Sequence, residues 1–295
     1  MASTATGTIV AEVIPESRKG EGIGYYSMSI TLATAIGPFF GLYMGQHTSY
    51  QTIFSFCTAL GIISFIIALF VNIPVIERLE EDTVQKHKHA FKFSNFIEPK
   101  ALPIGLVVII LSFAYSSVLS FINFYAMEID LVNVASLFFV VYAVAILVSR
   151  PFTGRLMDKK DANSVMYPAF IIFGVGLLLL SGVATSIPLL LAGALIGLGY
   201  GNMQSTAQAI SVKSTSPERV GLATSTYYIA LDAGLGFGPY VLGFIIPLTG
   251  YRYLYVTMGI LVLATTILYY FMHGRKEGSI LPRDSKAKVG EIEEI

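Results

Sequence analysis

Apolar residues come in long runs along this chain, and polar residues gather in the gaps between them. Eight runs stand out, at roughly 22–45, 52–75, 103–125, 132–150, 164–183, 187–212, 219–247 and 251–273. Each is close to the ~20 residues that carry an α-helix across a bilayer core of ~30 Å. None alternates over ten residues as a transmembrane barrel strand would. None keeps the broad polar face of a helix on a soluble protein. Gly37-Pro38 and Gly238-Pro239 fall inside runs, where neighbouring membrane helices can satisfy the freed backbone groups. The pattern predicts an all-α polytopic membrane protein.

Composition agrees. Of 295 residues, 54% are hydrophobic and 13% charged, against about 25% charged in a soluble domain. Mean hydropathy is +0.69. The single cysteine, Cys57, lies inside an apolar run, so no disulfide framework follows, and the four histidines show no ligand-pair spacing. No metal and no cofactor are expected.

The net charge of zero hides an asymmetry. Basic residues cluster at 18–19, 78–100, 150–160, 213–219 and 275–288, and only Arg252 stands apart. If eight spans alternate in direction, all the clusters lie on one side. Basic loops stay cytoplasmic. The 76–102 linker, the 151–163 and 213–218 loops and the C-terminal tail are therefore expected inside. The turns 46–50, 128–131, 184–188 and 247–251 are expected outside.

Sliding the chain against itself finds one productive offset, 201 residues (219 − 18). It pairs Arg18 with Arg219, Gly20 with Gly221, Tyr26 with Tyr227, Gly37-Pro38 with Gly238-Pro239, Thr48 with Thr249 and Tyr50 with Tyr251. Both copies run in the same direction, so the repeat is parallel, a plan that places a substrate site at the midplane between halves. Counterparts of residues 103–201 would lie before residue 1. The expectation is a chain that starts late, lacking three helices and most of a fourth, with a natural eight-helix protein as the alternative.

Three stretches resemble one family. Ala33-x-x-x-Gly37-Pro38-x-x-Gly41 is similar to the antiporter motif on the fifth helix of the major facilitator superfamily, with Ala33 and Leu42 where glycine is frequent. Gly234-x-x-x-Gly238-Pro239 repeats it on the eleventh. Arg150-Pro-Phe-Thr-Gly154-Arg-Leu-Met-Asp158-Lys159 resembles the family's cytoplasmic loop motif, without its trailing Gly-Arg-Lys. The resemblance covers nearly the whole chain and points to the 12-helix proton-coupled drug and metabolite exporters.

It implies the major facilitator fold, two six-helix halves, with the first three helices and most of the fourth absent here. Residues 1–76 would be the remnant of the first half, 77–102 the cytoplasmic linker, 103–273 the second half and 274–295 a cytoplasmic tail. The implied activity is secondary transport by alternating access in the cell membrane, as proton-coupled efflux of a small molecule. An importer of the same family and a non-functional fragment are the alternatives. Partners would be a small-molecule substrate, protons and the bilayer. No nucleic acid is implied, and a monomer is expected.

Several residues are candidates for the transport chemistry. Asp232 sits mid-span, where an ionised carboxylate costs roughly 2.5–3.5 kcal/mol, so it is either the proton-coupling group or a structural carboxylate with hydroxyl partners. Ser112, Ser116, Ser120 and Asn123 form one helical stripe, and Gly197, Gly201, Gln204 and Gln208 another. The resemblance turns both toward the substrate path. Interhelical packing is the simpler reading for Ser112 and Ser116. Asn123, Gln204 and Gln208 are the cavity candidates, with Tyr227 and Tyr228 available for stacking or packing. Gly37, Pro38, Gly41, Gly234, Gly238 and Pro239 would bend or thin their helices and seal the halves. In the loop motif, Arg150, Gly154, Asp158 and Lys159 would act on conformation, with Asp158 capping the helix that starts near Gly20–Gly22. Simple topology also explains the loop's cations.

Other classes find no support. The sequence has no Walker loop, no His-Glu-x-x-His and no Gly-x-Ser-x-Gly, so neither a nucleotide-driven pump nor an intramembrane enzyme is indicated. Nor does it carry a selectivity-filter loop or a charged pore ring.

Overall fold

In lipid no water pairs with exposed backbone amides, so an apolar run must close its hydrogen bonds within itself, as a helix. The computed structural model describes residues 19–70, 97–216 and 219–275, together with Thr6. The helices are α1 (Lys19–His47), α2 (Tyr50–Leu69), α3 (Leu102–Glu128), α4 (Val132–Lys159), α5 (Asn163–Ser181), α6 (Ser186–Ile196), α7 (Asn202–Lys213) and α8 (Val220–Tyr269). Six stretches are long and apolar enough to cross a membrane. Among the described residues there is no strand.

Two departures from the sequence pattern matter. The run at 187–212 is one membrane-length stretch, but a π turn at Gly197–Gly201 joins α6 to α7. The runs at 219–247 and 251–273 are two helices that meet without a loop at Gly250, whose backbone is not helical (φ 78°, ψ 168°); α8 names the pair. Positive φ is strained for most side chains, so glycine reverses the chain there without a longer turn. The offset seen in the sequence recurs here: shifted by 201, Lys19 at the start of α1 falls on Val220, and Ser49 between α1 and α2 falls on Gly250. Residues 71–75 of the 52–75 run, residues 77–96 of the linker, Arg18 and the tail beyond Arg275 lie outside the described residues.

The four turns expected on one side do meet at one end. Gln46 Nε2 donates to the Val132 carbonyl at 3.2 Å, and Tyr125 Oη to the Val183 carbonyl at 3.4 Å. Arg252 Nη2 donates to the same Val183 carbonyl at 3.3 Å. At the opposite end Asn163 links two helix ends, donating to the Gly274 carbonyl at 2.9 Å and accepting from Tyr269 at 2.8 Å.

The buried core comes from α3–α8: Tyr125, Phe138, Phe170, Phe173, Tyr255 and Tyr269 are among its largest fully or almost fully hidden side chains. α3 packs along α8, α5 against α8, and α4 against α6. α1 lies along α4, and its Leu42 touches the core. α2 buries no residue; its Phe54 and its C-cap Phe70 are 71% and 82% exposed. Apolar surface of that extent suits a hydrocarbon or helix neighbour, not water.

Candidate functional site

The π turn at Gly197–Gly201 organises the site. Its glycines let it sit against two helices at once. A Cβ on Gly197 would lie 2.5 Å from the Tyr142 carbonyl oxygen of α4, and one on Gly199 2.5 Å from Phe173 of α5. Any larger residue would force the backbones apart. Wedged this way, the turn fixes Tyr200, which is 3% exposed. The Tyr200 ring stacks on Tyr115 of α3, centroids 4.0 Å apart and planes 12° apart, and Tyr115 stacks on Tyr142 at 5.7 Å. Phe173 closes the cluster at 5.5 Å from Tyr200.

Beside this stack lies a small cavity of about 10 Å³, room for about one water, lined by Val108 and Leu111 of α3, Tyr200, Met203, Gln204 and Ala207, and Tyr227 and Leu231 of α8. Gln204 and Tyr227, both expected in a cavity, are here together. The Tyr227 hydroxyl donates to the Gln204 backbone carbonyl at 2.9 Å, tying α8 to α7. Gln208 pairs instead with the Tyr228 side chain one helical turn along, and Tyr228 meets Tyr227 edge-on at 5.3 Å. Asn123 is not in this pocket. It lies near the other end of α3, half-buried, with its Oδ1 unpaired among the described residues.

The serine stripe of α3 divides. Ser112 and Ser116 are buried against the glycines of α8: a Cβ on Gly234 would collide with the Ser112 hydroxyl, and one on Gly238 with that of Ser116. Both hydroxyls donate within α3, Ser112 to the Val108 carbonyl at 2.7 Å and Ser116 to the Phe113 carbonyl at 2.6 Å. This is small-residue helix packing. The stripe of α6–α7 divides as well. Gly197 and Gly201 face Tyr142 and Ile146 of α4, while Gln204 faces the pocket. The wider π turn shifts the helical phase, so residues of α7 face a direction that the α6 pattern does not set.

Gly37 and Gly41 of α1, and Gly154 of α4, meet no described atom within 4 Å of a Cβ. Pro38 and Pro239 are half-buried within their helices. Arg150 is half-buried, within electrostatic reach of Tyr142 and Tyr227. The side chains of Asp158 and Lys159 lie outside those described, and with them the expected cap on the helix near Gly20–Gly22. Asp232 is exposed on α8, on a surface that also acts on Tyr227 and Tyr228.

Several polar residues gave no signal in the sequence pattern. Asn202, 3% exposed, donates to Ser149 Oγ at 2.9 Å and accepts from Thr153 Oγ1 at 2.9 Å, joining α7 to the end of α4. Glu98, also 3% exposed, pairs with Arg219 Nε at 2.5 Å, while its backbone N–H donates to Thr226 Oγ1 at 2.9 Å. This clasp ties the end of the linker to the start of α8. Burial alone would raise the Glu98 pKa; hydrogen bonds from Arg219 and the Lys100 amide, with the charges of both residues, hold it below the usual carboxylate value. The one available signal was a carboxylate beside Pro99, immediately before an apolar run.

The sequence of this helical bundle has clear relatives. The family model described as Major Facilitator Superfamily matches residues 1–159 and 131–293. An uncharacterized MFS-type transporter of Methanocaldococcus jannaschii is 23% identical over 269 residues, covering 90% of this chain and 69% of the relative. The staphylopine export protein of Staphylococcus aureus is 21% identical, covering 88% and 67%. The multidrug resistance protein MdtG of Klebsiella pneumoniae is 24% identical, covering 86% and 63%. The chain thus spans about two thirds of the length of these relatives. With motifs, spans and family model in agreement along its whole length, the chain belongs to the Major Facilitator Superfamily.

Proposed function

We propose that the chain serves secondary active transport in the cell membrane, exporting a small molecule in exchange for protons by alternating access. The observation that carries the coupling is Asp232. It is the one acidic residue far from the ends of the described spans, and it is exposed on the bundle. A carboxylate at that depth is not stable against hydrocarbon, so its face of α8 belongs to a cavity or to an opposing helix. A group so placed can take up and release a proton as its surroundings alternate. The direction rests on relatives named for staphylopine export and multidrug resistance. Gln204 and Tyr227 line the substrate path, with Gln208 and Tyr228 beside them and Asn123 farther along α3. Residues 1–76 and 103–273 act as parts of the two halves, with the linker and the tail cytoplasmic.

Everted membrane vesicles acidified inside test this. They should accumulate a dye from a cationic and neutral panel, and a protonophore should stop it. Asp232→Asn, which keeps size and hydrogen bonding but removes titration, should abolish accumulation at unchanged membrane level. Normal rate and pH dependence in that variant would show Asp232 to be structural.

A further inference from the structure

Asn202 is buried at the end of the π turn, and both ends of its amide are engaged there. In an α-helix the Leu198 carbonyl would accept from the backbone N–H four residues on, that of Asn202. Here that N–H donates to the Gly199 carbonyl, and Asn202 Nδ2 donates to the Leu198 carbonyl instead, at 2.7 Å. Nδ2 also donates to Ser149 Oγ of α4 at 2.9 Å, and Oδ1 accepts from Thr153 Oγ1 of α4 at 2.9 Å. A carbonyl only accepts, so the amide faces Leu198 with its nitrogen. The three bonds join a carbonyl of the wide turn to two hydroxyls that flank Arg150 in the loop motif.

The glycines of the turn do not explain its width. At 197, 199 and 201 they let α4 and α5 come close, which glycines in an ordinary α turn would also allow. Helices leave the α ladder where a side chain inserts into it, and Asn202 is such a side chain. A π turn holds about one residue more than an α turn, so each residue of α7 sits where its predecessor would sit in a continuous α-helix. On α7 as it stands, Gln204, Ser205, Gln208 and Ala209 are half-buried on one face, while Thr206, Ala207 and Ile210 are buried. We propose that Asn202 is a positioning residue: anchored on Ser149 and Thr153, it holds the π turn wide and so turns the face of Gln204 and Gln208 toward the water-filled transport path. This rests on the transporter reading, which gives that face its meaning, and adds the residue that sets it. Without Asn202 the turn tightens to α, Ala207 moves onto the half-buried face and Ala209 moves into the bundle.

The test is thiol labelling of the full chain in lipid nanodiscs, in a Cys57→Ser background, with N-ethylmaleimide as the probe and mass spectrometry as the readout. Two small substitutions report the direction of α7, Ala207→Cys and Ala209→Cys. With Asn202 in place, Ala209→Cys should label about tenfold faster than Ala207→Cys, because a buried thiol reacts only through local opening. Asn202→Leu, which keeps the bulk and removes all three bonds, should reverse that order. Ser149→Ala combined with Thr153→Val removes the anchor from the α4 side, leaves residue 202 untouched and should give the same reversal.

An unchanged order in either folded variant overturns the proposal, whatever its thermal midpoint, since a network that only stabilises the bundle would lower the midpoint and leave the order alone. Equal labelling of the two thiols with Asn202 present, or labelling of neither, overturns it as well, because α7 then turns no such face to water. If neither variant folds, the network serves the bundle and not the direction of α7, and the proposal falls. No substrate and no proton gradient enter the measurement, so its failure leaves proton-coupled export standing, and failure of the vesicle assay leaves the labelling order intact.

Discussion

Gly238→Ala should destabilise the bundle, and Ser116→Gly should repair it. The new Cβ would overlap the Ser116 hydroxyl and lie 2.8 Å from Ser116 Cβ, with the next neighbour, the Phe113 carbonyl oxygen, at 3.5 Å. Only the Ser116 side chain stands in the way. It is held, since its hydroxyl donates to the Phe113 carbonyl at 2.6 Å. Overpacking of this kind costs about 1–3 kcal/mol. Ser116→Gly removes both obstructing atoms and adds a helix-interior glycine, itself a loss of roughly 0.5–1 kcal/mol relative to Ala. The double variant should therefore recover about 1–2 kcal/mol of the Gly238→Ala loss, appearing as a coupling between neighbouring sites.

Gly234→Ala is the control. Its Cβ would collide with the Ser112 hydroxyl but also lie 2.5 Å from the Ile109 carbonyl oxygen and 2.9 Å from the Phe113 amide nitrogen. Backbone cannot yield as a side chain can, so Ser112→Ala should leave most of that loss in place. Thermal midpoints of detergent-purified variants give the readout, at about 2–4 °C per kcal/mol for large chains. Gly238→Ala as stable as wild type, or rescue equal at both sites, would refute the packing of α3 on α8.

The Glu98–Arg219 clasp should give a pH signature: a carboxyl whose folded pKa is depressed adds stability in full above its unfolded value, and loses it as pH falls through the folded pKa. The thermal midpoint should decline below about pH 4.5 more steeply in the wild type than in Glu98→Gln, and equal slopes would count against the clasp. For topology, in a background carrying Cys57→Ser, an impermeant thiol reagent on whole cells should reach Ser49→Cys and miss Ser94→Cys and Ser285→Cys; labelling of either of the last two in sealed cells overturns the orientation.

The sequence by itself determined the helices and their alternation. Each apolar run must satisfy its own backbone in lipid, so span and length are local properties that no neighbour alters. That is why α1–α5 and the stretch 186–213 fall where the hydrophobic pattern puts them, and why Val132, Val183 and Arg252, near three separate turns, come to one end. The family was legible for the same reason, since its motifs are short and lie at helix ends and bends. Which way a side chain faces was not legible. Helices that are apolar all round carry no periodic signal for orientation, and packing alone sets it. Hence Ser112 and Ser116 meet Gly234 and Gly238, and Gln204 separates from Gly197 and Gly201 across a π turn that no residue pattern announced. Tyr200 reads in the sequence as one more apolar ring. Only the close approach of α4, α5 and α3 makes it a clamped aromatic whose buried hydroxyl has no hydrogen-bond partner among the described residues.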